Sequence, residues 1–288
     1  MQLNTKDVFA LVTATLCERL HHGNIPWHQN WKQHGPPRNL ITERPYRGVN
    51  LLLLGNLGYS SNEFLTYKQA IDLGAKVNKG AKAHLQIFWH VEDANGTKKF
   101  TLRYYYLFNV TDCKDLPPRP KEQKSTVIDP VEHAEMILAD MPSVPQVIHL
   151  EDTPYYNLKG DFINVVKADV LGGQEQYYSH LFPLLAHATS HESRLDRKEG
   201  RQTQMFEAPS FELENLIADI AGGFLISHCG LPLPEIENKE AYREAWIRRM
   251  SKDHKFIMTA ASQAQKAVDY ILNVKHKEDE NVAVSHGT

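Results

Sequence analysis

A chain of 288 residues, 42% of them hydrophobic, is long enough for two domains of ordinary size, each able to close a core. No apolar run approaches a membrane span, and the first residues, Met1 to Val8, lack the basic start and apolar block of a secretory leader, so no membrane partner is expected. Three widely spaced cysteines, Cys17, Cys113 and Cys229, make neither a disulfide framework nor a metal knuckle, which points to a reducing, cytoplasmic setting.

The formal net charge of -3 is unevenly spread: residues 1–112 hold 13 Lys+Arg against 8 Asp+Glu, a balance of +5, and the rest hold 19 against 27, a balance of -8. A basic first part suits a polyanionic partner.

In chain order, Asn4-Thr5-Lys6-Asp7 caps a predicted helix from about residue 5 to His22, with Val8, Leu11, Val12, Leu16 and Leu20 along its apolar stripe and Gly23 at its end. A turn-rich stretch then carries Trp27 and Trp31, bounded by Gly35-Pro36-Pro37. Tryptophans in irregular chain beside Lys32, Arg38, Arg44 and Arg47 are what a base-stacking surface with phosphate contacts uses; closing the domain core is the alternative use of the same side chains. Thr66 to Ala70 opens a short helix that Gly74 stops. Lys79-Gly80-Ala81-Lys82 is a basic turn feeding a strand from His84 to His90, Asn95-Gly96 is a hairpin signal, and Phe100 to Asp112 is the returning strand.

This order predicts a small α+β domain over residues 1–113. A linker rich in Pro and charge follows at 114–128. A second domain at 129–275 begins with a helix from Pro130 to Asp140 and strands at 147–150 and 162–166. The polar end at 276–288 is expected to be disordered.

The stretch from Tyr177 to Arg197 carries the clearest chemical pattern. His187 and His191 stand four apart, which on a helix places two imidazoles on one face, the usual offer to a single Zn²⁺. A zincin also needs a Glu directly after its first His to take a proton from the metal water, and here Glu192 follows the second His while Pro183 and Leu184 precede His187. His180 lies seven before His187, too far to share a metal unless Pro183 distorts the helix.

Several ordered motifs carry a family resemblance. Gly23-x-x-Pro26-Trp27-x-x-x-Trp31, Asn39-x-x-Thr42-x-x-x-Tyr46-x-Gly48-x-Asn50, Thr66-Tyr67-x-Gln69-Ala70-x-x-x-Gly74-x-x-Val77-x-Lys79-Gly80-x-Lys82 and Phe108-Asn109-Val110 resemble the N-terminal domain of ArdC-type antirestriction proteins. Asn30 departs from that family, which has a second Pro before the Trp. Tyr155-Tyr156-Asn157, Tyr177-Tyr178, Leu181-Phe182, Ala186-His187, His191, Ser193-Arg194-Leu195-x-Arg197 and the acidic segment Phe211 to Ile220 resemble its C-terminal zincin-like metallopeptidase domain, as do Ala241 to Ile247 and Ala260 to Ile271.

The resemblance implies an α+β, two-domain protein of conjugative plasmids and phages whose first domain binds single-stranded DNA without sequence preference. On this chain the implied DNA contacts are Trp27, Trp31, Arg38, Arg44, Tyr46, Arg47, Lys79 and Lys82. It further implies a Zn or Mn site, and His187, His191, Glu214 and Asp219 are the ligands that remain. Relatives have His-Glu where this chain has Pro183-Leu184, so one ligand and the general base have no counterpart, and the expectation tips against a bound metal and against catalysis. The leading reading is a single-stranded-DNA-binding antirestriction protein with a pseudo-enzyme domain, its partners being single strands and proteins of a restriction system. A metallopeptidase with rearranged ligands, acting on DNA-associated proteins, and a pure protein-interaction module are the alternatives.

Overall fold

A computed structural model describes residues 3–29, 31, 35–94, 97–118, 128–197 and 209–274. The predicted Asn95-Gly96 turn, most of the linker and the polar C-terminal end lie outside the described residues.

Local signals set the helix starts. The Asn4 side chain accepts the N–H groups of Lys6 and Asp7, and Asp7 takes the N–H of Asn4 at 3.2 Å, a reciprocal cap that opens α1 (Thr5–His21). Thr66 and Gln69 form the same box for α3 (Tyr67–Asp72), after the short apolar α2 (Val49–Leu54). Asp129 caps α4 (Pro130–Asp140), with Pro130 in the first turn, where its missing N–H costs nothing.

The first half holds a four-stranded sheet in the order β1 (Arg38–Asn39), β2 (Glu63–Thr66), β5 (Thr97–Asn109), β4 (His84–Ala94). β1 runs parallel to β2, and the other pairs are antiparallel. Short strands β3 (Lys76–Val77) and β6 (Cys113–Lys114) pair beside it. Cross-strand partners Ile87↔Tyr104, Trp89↔Leu102 and Val91↔Phe100 share one face of the β4–β5 hairpin. Ile87 and Leu102 on that face are buried, and the Leu102 N–H meets the Thr5 hydroxyl at the start of α1 at 3.4 Å. Trp89, directly opposite Leu102, and the next pair toward the turn, Val91 and Phe100, are exposed.

The second half adds a three-stranded sheet, β7 (Gln146–Ile148), β9 (Phe162–Asn164) and β8 (Tyr155–Asn157), with β7 parallel and β8 antiparallel to β9. Helices α5 (Ala168–Leu171), α6 (Gln174–Ala188), α7 (Pro209–Cys229), α8 (Lys239–Lys252) and α9 (Phe256–Ile271) follow. The α+β class expected from the element order is the class found.

One hydrophobic core serves both halves. Val8, Leu16, Trp27 and Trp31 belong to the same buried cluster as Leu216, Phe224, Ile257, Ala260 and Val268. Two adjacent glycines of α7 allow the closest approaches. A Cβ on Gly222 would come within 2.6 Å of the Pro183 ring on α6, and one on Gly223 would collide with the backbone carbonyl of Trp27. The tryptophan stretch is therefore wedged directly onto a helix of the second half.

Candidate functional site

The two histidines that look like a pair in the sequence are separated by the end of α6. The Ala186 carbonyl would receive the Ser190 N–H if the helix continued. Instead it accepts Arg197 Nη2 at 2.9 Å and the Thr189 hydroxyl at 2.6 Å, while Ser190 turns back to His187. His187 stays in the last helical turn and His191 lies beyond it, so the predicted shared helix face does not form. Pro183 does not break the helix; α6 runs through it, and its ring packs on Gly222. His180 stays apart, its Nδ1 2.8 Å from the Gln176 carbonyl.

His191 joins a separate polar group. Its Nδ1 lies 2.8 Å from the Ser193 hydroxyl and 4.0 Å from Asp161. Asp161 is already held by the Arg194 guanidinium at 2.8 and 3.0 Å and by the Tyr156 hydroxyl at 2.8 Å. Burial pushes the Asp161 carboxyl up, and the hydrogen bonds from Arg194 and Tyr156 outweigh it, leaving the group below the usual carboxylate range.

His187 faces Glu214, Nδ1 to Oε1 3.4 Å. Glu214 is buried and gives both oxygens to Arg197, which is also buried, at 2.6 and 3.1 Å; Arg197 uses its remaining nitrogen on the Thr189 hydroxyl at 2.6 Å. Burial raises the Glu214 carboxyl, but His187 and Arg197 more than compensate and keep it below its ordinary range. One helical turn on, Asp219 Oδ2 accepts the Tyr242 hydroxyl at 2.8 Å, and that hydroxyl accepts the Trp27 indole N–H at 3.0 Å. Burial pushes Asp219 up to about 6, so a fraction is protonated near neutrality, and burial beside Asp219 drives the Tyr242 phenol well above its ordinary value.

These groups do not fit a resident Zn²⁺ or Mn²⁺ as folded. A catalytic zinc takes three protein ligands at about 2.0–2.2 Å. Here one imidazole stands beside a carboxylate committed to a guanidinium and a carboxyl that accepts a phenol. The turn of α6 before His187 is Pro183-Leu184-Leu185-Ala186, none of which can ligate a metal. Among the described residues no three His, Cys, Asp or Glu side chains come together in a metal-holding group. Of the four expected ligands, His187 and Glu214 meet, Asp219 neighbours them, and His191 lies elsewhere.

The model of the N-terminal domain of anti-restriction factor ArdC matches residues 6–128, and that of a zincin-like metallopeptidase matches residues 132–263. The chain belongs to the ArdC-type antirestriction family. It is similar to the antirestriction protein ArdC of plasmid R388 in a metal-free crystal structure (27% identity, TM-score 0.74, 92% of this chain and 96% of that one). A Mn(II)-bound structure of the same protein is similar too (28%, TM-score 0.76, 92% and 97%). A DNA primase TraC of Escherichia coli is 30% identical over 93% of this chain and 27% of its own, so the chain spans about a quarter of that relative's length. An uncharacterised protein, y4eC, of Sinorhizobium fredii (strain NBRC 101917 / NGR234) is 24% identical over 92% of this chain and 91% of its own.

The expected DNA contacts fare unevenly in this ArdC-type chain. Trp27 is 0% exposed and Trp31 8%, so the stacking surface predicted for them is corrected: neither ring offers a face to a base. Trp31 packs on Phe224 with ring centroids 5.9 Å apart and donates to Gln29 at 2.8 Å. Tyr46 is partly buried, its hydroxyl 3.3 Å from the Asn39 amide nitrogen. Arg38 pairs with Glu63 at 3.0 Å, and Arg47 pairs with Asp269. Arg44, Lys79 and Lys82 are exposed, with no carboxylate partner among the described residues.

Open aromatics lie instead on the hairpin, where Phe88, Trp89, Phe100 and Tyr106 are exposed, and at Tyr67 on α3. In the sequence the hairpin aromatics are ordinary strand residues. Their only signal is a run of aromatics at both faces of a long hairpin, and its meaning depends on what else packs against the sheet.

Proposed function

We propose that this chain is a sequence-nonspecific single-stranded-DNA-binding antirestriction protein of a mobile element. It acts by occupancy on incoming strands or on a restriction complex, in the cytoplasm, where Cys17, Cys113 and Cys229 stay as thiols. The observation that carries the reading is the ArdC-type half itself: Arg44, Lys79 and Lys82 are exposed without carboxylate partners, alongside the exposed aromatics Trp89, Phe100 and Tyr106. Cations that track a backbone, together with rings that stack bases, are what nonspecific single-strand binding requires.

The full-length protein is expected to prefer single strands over duplex of equal length. With about four phosphate contacts, the slope of log affinity against log salt is about -3, a roughly 50-fold loss between 50 and 200 mM salt. Fluorescence anisotropy with labelled oligonucleotides measures this; salt-independent binding, or equal affinity for duplex, would end the reading.

In this reading the zincin-like half is retained for its packing and contacts and does not hydrolyse peptides. Leu184 stands where a general base is needed, and Glu214 is committed to Arg197. The Mn(II)-bound ArdC structure favours the second reading, a metallopeptidase with rearranged ligands. Casein incubated with the purified protein is expected to remain intact with and without added Zn²⁺ or Mn²⁺. Metal-dependent turnover that disappears in His187→Ala would establish the second reading.

A further inference from the structure

A groove of about 570 Å³ lies between the β4–β5 hairpin and α9, within the roughly 300–1,000 Å³ typical of ligand sites. Trp89, 54% exposed, lines one side, on the same hairpin face as Ile87 and Leu102. Lys255 and Lys266 line the other, both exposed and without a carboxylate partner among the described residues. The one carboxylate in the lining, Asp269, is taken by Arg47 and by the Gln265 amide at 3.0 Å. Gln265 also accepts the Gly48 N–H at 2.9 Å, and Asn50, two residues on, bonds the Ile87 backbone at 2.8 and 2.9 Å, so the loop at the groove's edge ties α9 to the hairpin.

We infer that this groove is the path of the single strand, with a base stacked on Trp89 and the backbone neutralised by Lys255 and Lys266. The assignment rests on the single-strand-binding reading above and adds to it that the zincin-like half supplies part of the DNA site. Charge complementarity selects the occupant: the lysines are uncompensated, so the groove suits a polyanion. Trp89 is 54% exposed and leaves ring surface open to a base, whereas the bases of a duplex are stacked on one another and cannot reach it.

The test uses the full-length protein and a labelled oligothymidylate over a salt series. Trp89→Ala is expected to weaken binding about 10-fold with the salt slope unchanged, and Trp89→Phe to recover most of that loss. Lys255→Ala/Lys266→Ala is expected to weaken binding and to flatten the salt slope by about 1.4, two phosphate contacts on a single strand. All these side chains are exposed, so circular dichroism spectra should match the wild type. If the wild-type protein binds oligothymidylate and the variants bind it equally well, the groove is not the path while the single-strand reading stands. If the wild type fails to bind, both fall.

Discussion

Arg197→Ala is expected to lower the unfolding free energy by about 3–5 kcal/mol, measured by urea denaturation followed by circular dichroism. Arg197 lies between α6 and α7 with Glu214, and both are buried. Removing the guanidinium strands a carboxylate that is 1% exposed, with His187 at 3.4 Å as its remaining partner, and takes a donor from the Thr189 hydroxyl and the Ala186 carbonyl. A buried charge left without its partner costs more than the pair contributes, so Arg197→Met/Glu214→Met, which removes both charges, should be much milder than either single change. A loss below about 1 kcal/mol for Arg197→Ala would mean that Glu214 is not held as described.

Trp27→Ala should cost a similar amount, about 3–5 kcal/mol, for a different reason. The ring is fully buried, sits edge-on to Tyr242 with centroids 6.4 Å apart, and donates to its hydroxyl at 3.0 Å. Its backbone rests on Gly223 of α7, so the cavity would open at the junction of the two halves. Trp27→Phe keeps most of the volume and should cost about 1–2 kcal/mol. The folded Trp27→Phe protein should bind oligothymidylate with wild-type affinity and salt slope. A selective tenfold loss of binding at unchanged stability would return Trp27 to a stacking role.

Because the halves share this core, residues 1–113 taken alone would lack Leu216, Phe224, Ile257 and the rest of the buried surface that Trp27 and Trp31 cover. The functional unit to assay is the whole chain.

What could be read without the fold was local. The boxes at Asn4 and Thr66 and the cap at Asp129 are formed by side chains within three residues of the N–H groups they satisfy, so α1, α3 and α4 start where their sequences say. The strands expected at 84–90 and 100–112 from the hairpin signal overlap β4 (His84–Ala94) and β5 (Thr97–Asn109), and the last expected residues, Val110–Asp112, turn into a short 3-10 helix instead. The family resemblance was also legible, because it resides in the order and spacing of motifs.

Burial and helix termination are set by residues far along the chain. Trp27 and Trp31 sit in irregular chain, where no periodicity reports an inward face; only Tyr242 and Phe224, some 200 residues away, make them core. His187 and His191 keep ligand spacing, yet Arg197 takes the Ala186 carbonyl that would have continued the helix between them. The family and the α+β class follow from residue identity and local order, and both were legible before any fold was known. Which rings face solvent, whether the remaining ligands converge, and that a groove is lined by both halves came from the fold, because each depends on distant segments meeting.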